Sequence, residues 1–214
     1  MSKAVEVIKN TVEVLIMSSE HEFMVSQDQY LKSGIHIGTK FKTRYMAPFI
    51  YKTRTDGLSV LNLQKIDERI RLAANLLAQY EPKDILIACR RENGWKAVRA
   101  FGKNTGATVF PGRYPPGILT NPKLESFMEV KLIFVADPWP DKNVVNDAMT
   151  LGIPVIALCD TNNQSNAIDL VVPCNNKGKK SLGLLFYILA REYVKKKGLV
   201  SGEPKFTVED FTEE

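Results

Sequence analysis

Short apolar runs without a polar break, each set beside a helix-period stripe, constrain this chain more than any other feature. Residues 85–88 (ILIA), 132–136 (LIFVA), 155–159 (VIALC) and 170–172 (LVV) carry no charge at all. A strand that is apolar on both faces must be covered on both faces, as in a parallel sheet and not a half-solvated antiparallel one. Between and around these runs lie stripes of helical spacing: Ile66, Ile70, Ala74 and Leu77; Val98 and Phe101; Val144, Ala148 and Leu151; Leu182, Leu185, Phe186, Leu189 and Tyr193. Such alternation predicts an α/β fold, a three-layer sandwich around a doubly wound, mostly parallel sheet with helices on each side.

Punctuation residues set the expected bounds. Ser26 caps a short helix over 26–33 that Gly34 ends. Strands are expected at 58–63 and 108–110 as well, and helices at 94–103 and before Gly152 and Pro154. The last helix is expected to start at Ser181 and to close at Gly198, with Lys195, Lys196 and Lys197 complementing its negative end. Residues 3–18 form an amphipathic stripe through Val5, Ile8, Val12 and Leu15 that stands outside the alternating pattern. The expected organisation is an N-terminal helical extension (1–22), one α/β domain (23–200) and an acidic tail (201–214).

The net charge of +5 conceals an asymmetry: five acids and one lysine fall in 203–214, leaving 28 basic and 19 acidic residues before them. A basic body with an acidic tail points to a polyanionic partner. Cys89, Cys159 and Cys174 are odd in number, widely spaced and without a C-x-x-C pair, which disfavours zinc or disulfides and reads as buried thiols in a reducing compartment. No apolar run reaches membrane-spanning length, and Glu6 and Glu13 interrupt what would be a signal-peptide core. The expected location is the cytosol, with no membrane partner.

From 38 to 56 the chain is irregular and basic. Lys40, Lys42, Arg44, Lys52 and Arg54 interleave with Phe41, Tyr45, Phe49 and Tyr51, and no acid occurs until Asp56. Cations and rings in this pattern can pair phosphates while stacking on bases. The alternative is an edge hairpin whose rings pack inward and whose charges are merely solvated.

In a doubly wound sheet, ligands sit outside the carboxyl ends of the strands. The loops expected there carry Arg90 and Arg91, then Gly112 and Arg113, then Asp137 through Asp141, then Asp160, Thr161 and Asn162, then Asn175, Asn176 and Lys177. They hold many hydrogen-bonding groups but no nucleophile–base pair, and no G-x-G-x-x-G follows a strand. Gly178-Lys179-Lys180-Ser181 approaches the end of a P-loop, yet Pro173 stands where its first glycine belongs. Asp137 and Asp160 are the two carboxylates that could converge on a magnesium ion. An aspartate ending a strand more often caps the next helix or fixes a turn, which both residues fit, and no metal or other cofactor is expected. His36, held between Ile35 and Ile37, reads as a structural imidazole.

Six ordered segments carry a family resemblance: GIHIG (34–38), PFIYKTRTDGLSVLNL (48–63), GRYPPGILTN (112–121), FVADPWPDKNVV (134–145), GIPVIALCDTN (152–162) and PCNNKGKKSLGLLFYILAREY (173–193). Together they resemble the family of the second protein of the small ribosomal subunit, over residues 23–198. The resemblance implies a flavodoxin-like domain bound to small-subunit ribosomal RNA and neighbouring ribosomal proteins, near the head–body junction on the solvent side. Bacterial members carry a coiled-coil insertion after the segment matching GRYPPGILTN, whereas here Asn121 leads directly toward the strand at Leu132. PCNNKG is similar to the archaeal and eukaryotic branch, whose eukaryotic member is called SA or laminin-receptor precursor, and the long eukaryotic extension does not follow, so an archaeal type is implied.

The leading expectation is a non-enzymatic, RNA-binding structural component of the small subunit, with no small-molecule substrate. Charge and placement select Lys40, Lys42, Arg44, Lys52, Arg54, Arg90, Arg91, Lys96, Arg99, Arg113, Lys177, Lys179 and Lys180 for RNA. Trp139, Val5, Val12 and the acidic tail are selected for protein partners. A nucleotide- or flavin-dependent enzyme and an adaptor binding only proteins are the competing readings.

Overall fold

In a computed structural model that describes residues 23–198 and 206–212, the apolar runs become the five strands of one parallel sheet. These are β3 (Ile85–Cys89), β4 (Thr108–Pro111), β5 (Leu132–Val135), β6 (Val155–Cys159) and β7 (Leu170–Pro173). Their spatial order is β4-β3-β5-β6-β7, which counted from the first strand of the sheet is 2-1-3-4-5, the flavodoxin-like order. Every residue of β3, β5 and β6 is buried, the reason these strands read as unbroken apolar runs. Val5 and Val12 lie outside the described residues, as does the amphipathic stripe that contains them.

The expected strand over 58–63 is shorter and belongs elsewhere. β1 (Ile50–Thr53) and β2 (Ser59–Leu61) form a separate antiparallel pair, Ile50 opposite Leu61. The strand stops at Leu61 because Asn62 caps α2 (Leu63–Leu77), its Oδ1 accepting the Gln64 N–H at 2.9 Å. The inner face of α2, Ile66, Ile70, Ala74 and Leu77, is fully buried.

One face of the sheet is covered by α2, α3 (Glu92–Thr105) and α5 (Lys179–Lys197). Phe186 of α5 ties the layers together, its ring 5.9 Å from Phe101 of α3 and 5.6 Å from Phe134 of β5. Each such fully buried ring contributes about 2–3 kcal/mol by area removed from water. The other face is covered by α4 (Lys142–Leu151) and by the irregular 113–130 segment, joined where Tyr114 Oη donates to Asp147 Oδ2 at 3.1 Å.

The start of α5 departs from expectation. Gly178 is its N-cap, and Ser181 lies inside the first turn with its Oγ donating to the Asn175 carbonyl at 2.7 Å. Asn175 has taken the turn-forming role, its Oδ1 accepting the N–H groups of Lys177 and Gly178. Gly198 closes the helix in the left-handed conformation, φ 64°.

Two further elements dock on this frame. In α1 (Gln27–Ser33), Tyr30 Oη donates to the fully buried Asp67 Oδ1 at 2.8 Å, and Met24 N–H donates to the same oxygen. In the tail, α6 (Glu209–Thr212) seats Phe211 edge-on against Tyr187, with ring centroids 5.9 Å apart, and Phe206 packs edge-on to Tyr187 and tilted to Phe211. Gly183 permits this approach, since a Cβ there would collide with the Thr212 methyl and press on the Phe211 carbonyl.

Candidate nucleic-acid interface

The switch point of the sheet lies between β3 and β5, where the chain first reverses its direction of winding. In this architecture that crevice is the ordinary ligand site. Here side chains of the protein fill it. Arg91, following β3, grips Asp137 Oδ2, following β5, through both Nε and Nη2. Asp137 Oδ1 accepts the Trp139 N–H at 3.1 Å and the Asn163 amide at 3.0 Å. The Arg90 N–H donates to Asp141 Oδ2 at 3.0 Å.

A second cluster continues across the ends of β6 and β7. Lys177 Nζ lies 2.9 Å from Asp160 Oδ2, while Asp160 Oδ1 accepts the Thr161 N–H. Asn163 Oδ1 accepts from both the Asp160 N–H and the Asn176 amide. Asp137 and Asp160 therefore do not face one another across a cation site: each faces a basic side chain, and their remaining oxygens are taken by donors. Among the described residues there is no cluster of three metal-ligating side chains.

Burial sets the titration of the remaining groups. Asp141 is pushed up to about 6 by desolvation, opposed by the Arg90 N–H and reinforced by the charge of Asp137. The Cys89 thiol is pushed up to about 12, and those of Cys159 and Cys174 are likewise raised by burial. Thiols so held are poor nucleophiles. His36 is half-buried, and burial lowers its pKa, opposed by a backbone hydrogen bond at Tyr30.

The basic 38–44 stretch is stitched to this edge. Thr161 Oγ1 accepts the Thr39 N–H at 3.0 Å and donates to the Phe41 carbonyl at 2.9 Å, and the Thr43 N–H reaches the Thr161 carbonyl at 2.9 Å. Gly38 is required there, because a Cβ would meet the Thr161 methyl at 2.5 Å. The hairpin alternative is half realised: β1 and β2 do form a hairpin, and Phe49 packs inward under the Arg69 guanidinium. Phe41, Tyr45 and Tyr51 instead remain exposed.

Of the residues selected for RNA, Lys40, Lys42, Arg44, Lys52, Arg54, Arg90 and Arg113 are exposed, as is Lys180 in the first turn of α5. Arg54 pairs loosely with Asp56 at 3.6 Å, both largely in solvent. Lys96, Lys179, Arg91 and Lys177 are partly covered, and Arg99 is exposed further along α3. The edge thus gathers Arg90, Arg113, Lys40 and Lys180 from loops or helix starts at the carboxyl ends of the strands, whereas Arg99 stands apart on the helix. Arg91 and Lys177 already hold the two buried aspartates.

Sequence reasoning did not single out Asp141 or Lys142. Asp141 was visible as an acid five residues into a strand-ending loop, but its burial depends on the long-range contact with Arg90. Lys142 lines a cleft of about 540 Å³ with Trp139, Val145, Met149, Asn162 and Gln164.

The sequence of the ribosomal protein S2 family matches residues 30–128 and 125–195, most of the chain. The chain belongs to the ribosomal protein S2 family. It is 47% identical over 190 residues to small ribosomal subunit protein uS2 of Nanoarchaeum equitans, covering 88% of this chain and 94% of that one. The corresponding figures are 46% over 195 residues for uS2 of Methanococcus maripaludis, 91% and 89%, and 42% over 194 residues for uS2 of Thermoplasma acidophilum, 90% and 98%. These relatives are archaeal, in agreement with the archaeal type that the resemblance implies. The S2 family is one of structural ribosomal constituents and not of enzymes.

Proposed function

We propose that this S2 protein binds small-subunit ribosomal RNA through the basic carboxyl edge of its sheet, and contacts neighbouring ribosomal proteins elsewhere, to support subunit assembly and translation. The observation that carries the reading is a division of labour among the cations. Arg91 and Lys177 neutralise buried aspartates, while Lys40, Lys42, Arg44, Arg90 and Arg113 extend from the same edge into solvent. Side chains of the first kind hold the platform; those of the second kind are placed to meet phosphates. Affinity then comes mainly from counterion release, and specificity from the shape of folded RNA.

Lys52 and Arg54 on the β1–β2 hairpin extend the surface, and Lys96, Arg99, Lys179 and Lys180 flank it. Gradient co-sedimentation of the tagged protein with small subunits, followed by crosslinking from Arg54 and Arg113, tests the proposal. Crosslinks to small-subunit RNA at both positions are expected. Co-sedimentation with crosslinks only to proteins would overturn it.

A further inference from the structure

Phe41 and Trp139 are among the most exposed large apolar side chains of the described residues, at 79% and 72%, and they line the same cleft. The cleft has a volume of about 690 Å³ and is completed by Thr39, Lys40, Asn162 and Lys177. Exposed rings on mobile loops would mean little, but both of these are held by their backbones. The Phe41 carbonyl accepts hydrogen bonds from the hydroxyls of Thr39, at 3.0 Å, and Thr161, at 2.9 Å. The Trp139 N–H is fixed to the buried Asp137.

Resting on the RNA-binding reading, we infer that this cleft takes an unstacked nucleobase of single-stranded ribosomal RNA, with Phe41 and Trp139 supplying the stacking faces and Lys40 the phosphate contact. Charge decides the class of occupant. No carboxylate lines the cleft, and Lys40 has no ion-pair partner among the described residues. Apolar rings beneath a cationic lip match a base with its phosphate, since every base offers a π-face and every nucleotide an anion. Asn162 adds an edge-reading group: its Oδ1 accepts from Lys177 Nζ at 3.4 Å, and its NH2 donates to no partner among the described residues. Trp139, selected from the sequence for a protein partner, is on this reading given to RNA by the residues that share its cleft.

Trp139 is one of two tryptophans, so a Trp95→Phe background makes its emission a direct reporter. Short oligouridine and purified small-subunit RNA are titrated in turn, with filter binding at several salt concentrations alongside. Quenching that saturates with binding is expected. Phe41→Ala with Trp139→Ala should weaken oligouridine binding about ten- to a hundredfold, as loss of base–aromatic stacking does, with the salt slope unchanged. Phe41→Tyr with Trp139→Phe keeps both rings and should bind as the parent does, which guards against a folding artefact.

Three results would overturn the inference. Parent-like oligouridine affinity in the alanine variant, with small-subunit RNA still bound, removes the cleft and leaves the wider RNA reading standing. Quenching by added small-subunit proteins and not by RNA makes the occupant a protein. Absence of RNA binding by the unaltered protein at low salt removes both readings together.

Discussion

Lys177 Nζ and Asp160 Oδ2 lie 2.9 Å apart across the ends of β7 and β6, with the aspartate side chain 1% exposed and the lysine 36%. The pair closes a carboxyl group into the end of the sheet while leaving part of the lysine stem in water. Removing the cation leaves the carboxylate buried and uncompensated. Lys177→Met should therefore destabilise the protein by about 2–4 kcal/mol, toward the lower end because the lysine is part-solvated. Adding Asp160→Asn should restore much of the loss. Urea unfolding of the two variants and the parent checks both statements; equal stability of Lys177→Met and parent would show that the pair holds nothing in place.

Asp141 predicts a pH dependence of the opposite sign to most carboxylates. Its folded pKa, about 6, lies above the ordinary value of 3.8 because burial disfavours the charged form. The folded state thus holds the proton more tightly than the unfolded one. The contribution is fully present below the unfolded value and is lost as pH rises through about 6. Asp141→Asn keeps an oxygen for the Arg90 N–H and removes the charge. The variant should gain about 1–3 kcal/mol over the parent at pH 7.5, a gain that shrinks toward pH 4. Thermal melts of the pair across this range measure the difference directly.

Phosphate contacts leave a signature in salt dependence. Arg54→Ala and Arg113→Ala should each lower the slope of log K against log salt by about 0.7–0.9 for small-subunit RNA. Folding stability should change little, because Arg113 is exposed and the Arg54–Asp56 pair is an open, long one. Filter binding between low and moderate salt provides the slopes. A uniform drop in affinity with no change of slope would assign these arginines to something other than phosphate.

Gly183 is where α5 and the tail helix approach most tightly, beside the Tyr187–Phe211 contact. Gly183→Ala places a methyl against Thr212 and the Phe211 carbonyl, which should displace α6 at a cost of about 1–3 kcal/mol. Loss of the ring-current shifts of Tyr187, Phe206 and Phe211 in NMR spectra is the expected readout. A parent-like spectrum with parent-like stability would mean that the helices part by a small adjustment instead.

What could be read in advance follows from the range of the interactions concerned. β6 was legible residue for residue, since burial on both faces imposes an uninterrupted run that turn-forming residues then bound. The inner face of α2 was equally plain, because its spacing is local. The start of α5 was misplaced by three positions: Ser181 has the chemistry of a cap, but the competing Asn175 turn had already satisfied the preceding N–H groups. Interactions across long stretches of sequence were not legible. Asp137 showed no preference for Arg91 over any other arginine, nor did Asp67 announce its burial beside Tyr30. The basic segment gave its composition but not its anchorage, which depends on Thr161 far along the chain.

The plugged crevice at the switch point carries a consequence for how the protein enters a larger particle. A flavodoxin-like sheet that kept its cleft vacant would depend on a visiting molecule to settle the exposed loop ends. With Arg91 and Asp137 locked together, the loop ends after β3 and β5 are held by the protein's own side chains, and no visitor is needed to settle them.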